Sequence, residues 1–316
     1  MLLKLLSRTG ILLASTLVGS MIVFGLLAVL PGDPATVALG VNATPEAVAQ
    51  LQQEFGTDRP LVVQYLDWLG GILQGDFGTS YVTGADIAQQ IGQRIAVTGW
   101  LVGTSLVLTI LIAVPLGVLA AVRQRKASGT VLAAMSQFGV AVPSFIAALL
   151  LINIFAVRLG WVPSGGWTAP VEDPAEFLRK LILPVVSIGL VQGAVLSRYV
   201  RSAALEIMRE DFIRTARAKG LTPLRAFIKH GSRNAAVPVV TVIGLQVAGL
   251  LVDTIVVERV FVIPGLGSLL FDGLANRDLL LVQGIALIIV CLILVLNYIV
   301  DLLYIVIDPR LRRQLA

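Results

Sequence analysis

An all-α, polytopic membrane protein with six transmembrane helices is the fold class this sequence predicts, and three observations predict it. Hydrophobic residues make up 57% of the 316 and charged residues 14%, with a mean hydropathy of +0.90. A soluble domain could not keep that much apolar surface from water. The apolar residues gather in runs of about 20 or more, the length a helix needs to cross hydrocarbon. The Lys and Arg residues concentrate in alternate connecting segments, the asymmetry that sets membrane orientation.

The first run covers 10–30, preceded by Lys4 and Arg8. It is long enough to span, and no small-x-small cleavage site precedes Pro31, so it reads as a retained span rather than a leader. A polar interlude follows over 31–95. Within it Thr44-Pro45-Glu46 opens a short helix by cap chemistry and Gly56 closes it. An amphipathic piece then places Tyr65, Trp68 and Phe77 at the membrane interface. Five more spans are expected at 96–122, 131–157, 181–200, 237–262 and 279–307, with Pro115, Pro143 and Pro184 marking bends. The loop after the third span, with Trp161 and Trp167 among turn residues, is a connector. The whole chain, 1–316, reads as one transmembrane domain without tandem repeats or low-complexity tracts.

With the N-terminus inside, the inner segments hold 17 of the 24 Lys and Arg, while fourteen of the nineteen acidic residues lie outside. Both termini and the long polar loop 201–236 are thus expected in the cytoplasm. This distribution, rather than a basic soluble face, accounts for the net charge of +5, so nucleic acid is not an expected partner.

That loop is the most informative stretch. An amphipathic helix is expected from Ala203 to Lys219, with Leu205, Met208, Phe212 and Thr215/Ala216 at helical spacing. Gly220 stops it, and Thr222 with Pro223 restarts a helix. Ala216 and Gly220 are small and four apart, which suggests a shallow docking place flanked by Arg214 and Arg217. Arg225, Lys229 and Arg233 would form a basic stripe beside Leu224, Phe227 and Ile228. A solvated loop that only sets topology is the plainer reading.

The run RTARAKGLTPLRAFIKHGSRNAAVP resembles the EAA loop of ABC importer permeases, in the form found in dipeptide, oligopeptide, nickel and glutathione systems. The motif's Glu-Ala-Ala positions fall on Arg214, Thr215 and Ala216, and its Gly on Gly220. The Glu is absent, as in the peptide-type branch. Further resemblances are LPGDP (30–34), DRPLVVQY (58–65), GDFGTS (75–80), E-x-VF-x-x-PGLG from Glu258, RD-x-x-x-x-QG from Arg277 and the terminal DPR-x-R. Together they cover nearly the whole chain.

The resemblance implies a type I ABC importer permease fold in a bacterial inner membrane, with a cytoplasmic coupling helix that docks on a separate ATPase. Coupling would fall to Arg214, Thr215, Ala216, Arg217, Lys219, Gly220 and Leu221. It further implies a second homologous permease subunit, two cytoplasmic ATPase subunits carrying ATP and Mg, and an extracytoplasmic solute-binding protein that meets the outer segment 31–95. The implied cargo is a di- or oligopeptide, with nickel or glutathione the runner-up on the same scaffold. The scarcity of His and Cys tilts away from a metal.

The chain's own chemistry fits. No G-x-x-x-x-G-K-[ST] phosphate loop and no Gly-Lys pair occurs, so energy must come from elsewhere. The single His230 lies in the polar loop and the single Cys291 in the sixth span, so no catalytic dyad forms and an enzyme is not expected. An ion-coupled carrier would need ionisable groups within the spans. Asp253, Glu258 and Asp301 are expected near span ends, which suits pairing better than a proton relay. Gln137, Asn153, Gln192, Gln246 and Thr254 are candidates to line the translocation path, and would serve equally as hydrogen-bonders between helices. Gly139, Gly189, Gly193, Gly244 and Gly249 are read as points of close helix contact.

Overall fold

A computed structural model describes residues 2–29, 33–40 and 43–307. The helices are α1 (Leu2–Val29), α2 (Pro34–Leu39), α3 (Pro45–Phe55), α4 (Leu61–Leu73), α5 (Ile87–Val122), α6 (Ala127–Ala141), α7 (Ser144–Leu151), α8 (Pro174–Ile207), α9 (Asp211–Ala218), α10 (Pro223–Ala226), α11 (Ser232–Val260), α12 (Leu266–Ala275) and α13 (Leu279–Ile307). Among the described residues there is no β-strand, only an isolated bridge between Thr79 and Asp86. Residues 30–32 of the LPGDP signature and the whole terminal DPR-x-R signature lie outside the described residues.

Among the described residues, five helices are long and apolar enough to cross a membrane, and six spans result when the bent pair formed by α6 and α7 with its π-helical extension Ile152–Arg158 counts as one. That pair corrects the expectation of a single rod over 131–157. The axis turns by 98° between Ala141 and Ser144. Pro143 has no N–H to continue the ladder, and it pushes Val142 into the extended region (φ −99°, ψ 117°). Pro115 and Pro184, by contrast, sit inside continuous helices. The second, fourth and fifth spans also prove longer than their apolar cores, because α5 starts at Ile87, α8 at Pro174 and α11 at Ser232. Polar helical turns carry no hydropathy signal, so the apolar runs underestimate them.

The chain forms two compact units whose boundaries fall within α5, between α11 and α12, and within α13. One comprises Leu2–Thr98 and Pro264–Val295. Its core gathers Ile87 and Ile91 of α5, Leu266 and Leu269 of α12, and Leu281 and Ile285 of α13. The short helices form as their caps dictate. Thr44 Oγ1 accepts from Ala47 N at 3.3 Å, and Gly56 takes the left-handed conformation (φ 70°) that ends α3.

The other unit comprises Gly99–Ile263 and, among the described residues, 296–307. Ala113, Leu196, Val200, Ala203 and Val239 form one of its cores. Small residues let its helices touch. A Cβ on Gly139 would collide with Ala194, one on Gly189 would come within 2.8 Å of Leu108, and one on Gly244 within 2.7 Å of Val300. Close packing at these glycines is thus observed as expected. The connector before α8 is built in as well. Gly166 N donates to Phe261 O at 2.7 Å, and the Trp167 ring meets Phe177 edge-on at 5.3 Å.

Candidate functional site

The elbow between α8 and α11 is the first candidate. The expected single helix from Ala203 to Lys219 does not occur. α8 ends at Ile207, a turn carries the chain through Met208 and Arg209, and α9 begins after Glu210, whose backbone is extended (φ −65°, ψ 147°). Glu206 O and Ile207 O accept from Arg209 N and Glu210 N at 3.1 Å each, closing the turn. The break resets the helical register. Phe212 and Thr215, expected on the apolar face, are exposed, while Ile213 and Ala216 turn inward.

The stop at Gly220 is a Schellman cap. Gly220 has φ 91°, its N–H donates to Arg217 O at 3.0 Å, and Leu221 N donates to Ala216 O at 3.3 Å. The hydrophobic contact that accompanies such a cap is present, because Leu221 packs on the cluster of Ile213, Ala216 and Ala226. Thr222 then caps the next helix, its Oγ1 accepting from Arg225 N at 3.4 Å, with Pro223 in the first turn. A π-turn over Phe227–Gly231 joins α10 to α11. Arg225, Lys229 and Arg233 are all exposed, though the wider π-turn breaks the i, i+4, i+8 alignment, and Phe227 is buried while Ile228 is not. Gly231 matters here: a Cβ would stand 2.9 Å from Ile207 and 3.3 Å from Ile213.

Ala216 therefore belongs to the elbow's interior, which corrects its expected place on an open docking face with Gly220. On α9, at about 100° per residue, the buried Ile213 and Ala216 put Arg214, Thr215 and Ala218 on the outward side. Arg217, Lys219 and the 40% exposed Phe212 flank them. Ala218, not Ala216, is the small residue at the centre of that surface. Sequence pattern missed it because the register follows from the break at 208–210. An ion pair on this face, Arg214 Nη1 to Asp211 Oδ1 at 3.4 Å, is solvent-exposed at both ends and adds little stability. His230 is exposed and has no part in the elbow's core.

The elbow is anchored to the ends of three helices. Phe227 packs with Ala121 of α5, Ala204 of α8 and Ala235 of α11 in one buried cluster, with Ile207 and Met208 against it. A push on α9 thus reaches three long helices through close-packed side chains, which transmit strain rather than absorb it.

A second constellation lies inside the same unit. Gln192 Nε2 of α8 donates to Asp253 Oδ2 of α11 at 2.7 Å, and Gln246 Nε2 reaches Gln192 Oε1 at 3.4 Å. A Cβ on Gly249 would meet the Gln192 amide only at an ordinary contact distance, 3.7 Å, so this glycine, unlike Gly139, Gly189 and Gly244, is not required for close approach. Asp253 lies seven residues before the end of α11 at Val260, about 10 Å in from that end. Two of the five path candidates, Gln192 and Gln246, are thus brought together. Thr254 is fully buried and its hydroxyl returns to Leu250 O at 2.8 Å on its own helix. Gln137 and Asn153 lie on exposed faces of α6 and the π-helical segment.

Comparison with known proteins agrees with this architecture. Residues 113–313 match the family described as "Binding-protein-dependent transport system inner membrane component", and residues 1–101 match its N-terminal counterpart, "Binding-prot-dependent transport system membrane comp, N-term". A probable peptide ABC transporter permease protein of Sinorhizobium fredii is 38% identical over 290 residues, covering 92% of this chain and 93% of its own. The glutathione transport system permease protein GsiC of Salmonella choleraesuis is 38% identical over 301 residues, covering 95% and 96%. The chain belongs to the binding-protein-dependent transport system inner membrane components, the membrane-spanning permease subunits of ABC importers, which are transport components and not enzymes.

Proposed function

We propose that this permease forms half of a translocation pathway for di- or oligopeptides, and that residues 201–236 convert the nucleotide cycle of two cytoplasmic ATPases into helix motion. ATP and Mg are bound by those partners. A second homologous permease completes the pathway, and an extracytoplasmic binding protein delivers the solute to the side bearing residues 31–95. Both termini face the cytoplasm of a bacterial inner membrane.

The observation that carries the reading is the elbow's construction. A capped helix presents Arg214, Thr215, Arg217, Ala218 and Lys219 to an outside partner, while Ile213, Ala216 and Leu221 tie it to a core continuous with the ends of α5, α8 and α11. Gly220 supplies the backbone turn that frees this surface, rather than a contact. In the pathway, Asp253 with Gln192 and Gln246 offers a polar station to a passing peptide's ammonium and amide groups. The peptide substrate class rests on the likeness to the Sinorhizobium fredii protein, and the equal identity to GsiC supports glutathione, itself a tripeptide, as the second reading.

The test is transport by the reconstituted complex. Ala218→Trp adds bulk at the outward centre of α9 without touching the elbow core. Uptake and solute-stimulated ATP hydrolysis should both fall to background with the permease still folded. Uptake that persists with inactive ATPases and collapses with the proton gradient would instead establish an ion-coupled carrier.

A further inference from the structure

Five cations gather at one end of the long helices in the unit that contains Gly99–Ile263. Arg123, Arg125 and Lys126 fill the turn between α5 and α6, while Arg198 and Arg201 lie near the end of α8. None of the five forms an ion pair among the described residues.

Helix contacts bring the two groups to one end. A Cβ on Gly117 of α5 would stand 2.6 Å from Ser197 O of α8, and Ala121 shares a buried cluster with Ala204. Ser197 Oγ donates to Ser136 Oγ of α6 at 2.7 Å. Arg201 follows Ser197 by four residues and precedes Ala204 by three, so it stands on the face of α8 that meets α5 and α6. It is half-buried, and its guanidinium has no hydrogen-bond partner among the described residues. One turn away, Arg198 lies over the exposed Tyr199 ring, 5.5 Å from its centroid. Such an aromatic ring suits headgroup depth.

The turn itself is built to hold its charges outward. Lys126 N donates to Arg123 O at 2.8 Å, and Gly129 is buried beneath, where a Cβ would stand 2.1 Å from Arg123 O. Arg123, Arg125 and Lys126 are left exposed, and α6 starts without a side-chain cap, so its first N–H groups add positive potential there. From this end an apolar stripe runs along α6. Val131, Met135 and Phe138 recur at helical spacing over about 10 Å, and all three are exposed. Basic residues alone would serve to orient the chain. A half-buried arginine without a counter-ion, next to cations from which an apolar stripe leads away, fits an anionic amphiphile better than a free ion or an acidic protein surface.

We propose that this end of α5, α6 and α8 holds an anionic phospholipid, its phosphate among Arg123, Arg125, Lys126 and Arg201 and an acyl chain along Val131, Met135 and Phe138. Arg198 and Tyr199 bound the headgroup. The site is argued from its own residues and does not depend on the coupling role of the elbow.

The test is native mass spectrometry of the full-length permease with its partner subunits, titrated in detergent with phosphatidylglycerol or phosphatidylcholine and without nucleotide. Phosphatidylglycerol should be retained and phosphatidylcholine stripped. Arg123→Gln, Arg125→Gln and Lys126→Gln together should weaken retention about a hundredfold, near fivefold for each cation. The thermal transition should not move, because all three side chains are exposed. Arg123→Lys with Arg125→Lys should keep the lipid, and Met135→Gln should weaken its hold. Removing the same charge from the elbow, by Arg225→Gln, Lys229→Gln and Arg233→Gln, should leave retention nearly unchanged. Equal retention of both lipids, or equal loss from the two triple variants, would show a diffuse field and overturn the assignment. Displacement by excess inorganic phosphate or glycerophosphoglycerol would show a site for free anions instead of lipid. Loss of an ATPase subunit, rather than of lipid, from the turn variant would make this end a protein contact and equally overturn it. Because no nucleotide is present, a failed coupling role cannot produce any of these results.

Discussion

Residues 208–231 hold their shape with backbone caps around Ile213, Ala216, Leu221 and Ala226, and leave charged side chains outward. Residues 77–83 hold theirs through a buried polar knot, Ser80 on Asp278, beside the apolar cluster of Ile87 and Ile285. The first design keeps one face open for a partner and lets a small core carry force. The second fixes two distant segments by bonds that cost much to leave unmade, which suits a frame rather than a lever.

Substitutions can set these two designs apart. The largest effect is expected from Ile213→Asp, which places a carboxylate at a fully buried position of the elbow. Several kcal/mol of local stability should be lost. Trypsin should then cut at the newly released Arg214 or Arg217, and transport should cease, while association with the second permease survives. Retained protease resistance would show that this small core does not hold α9. Next comes the knot. Ser80→Ala should cost about 2 kcal/mol, read as a lower thermal transition of the detergent-solubilised protein. Asp278→Asn in the same chain should then add far less than it does alone. Additive losses would mean that the two residues are not coupled.

Gly220→Ala should have an intermediate effect, about 1 kcal/mol, because φ 91° lies where a Cβ is strained and yet nothing within 4 Å among the described residues obstructs it. Amide exchange in residues 214–222 should quicken locally. Smaller in stability but not in function is Arg217→Glu. An exposed position should move the thermal transition by less than about 0.5 kcal/mol in equivalent stability, while ATPase association weakens and its salt dependence changes. An unchanged association would remove Arg217 from the docking surface. A modest gain, with no effect on transport, is expected at Val262, a β-branched residue at φ 53° and 77% exposed. Val262→Gly should raise stability by about 1 kcal/mol or less as strain is released.

What the sequence reveals about these regions follows the range of the interactions. Caps act within four residues, so Thr44, Gly56, Gly220 and Thr222 are legible from their neighbours alone. Spans are legible because hydrocarbon demands long apolar runs. The break at 208–210 is not, since neither Gly nor Pro marks it and the inward packing of Ile207 and Ile213 decides it. That one turn moves the outward face from the expected Ala216 to Ala218. The knot and the Gln192–Asp253 bond join residues 198 and 61 apart, and no local signal names a partner at such distances. The motifs around Ser80 and Asp278 stood out by resemblance, but their meeting is visible only in three dimensions.

The most direct measurement is a cross-link. In the assembled transporter, with Cys291→Ser removing the native thiol, a cysteine at Ala218 should form a disulfide with a cysteine introduced into the docking groove of the ATPase, and its yield should change when ATP is added. A cysteine at the equally exposed Thr83 should form none. If the Ala218 cysteine instead reacts with a membrane-impermeant maleimide outside intact cells, or never cross-links in a complex that still transports, the elbow is not where ATP hydrolysis meets this permease.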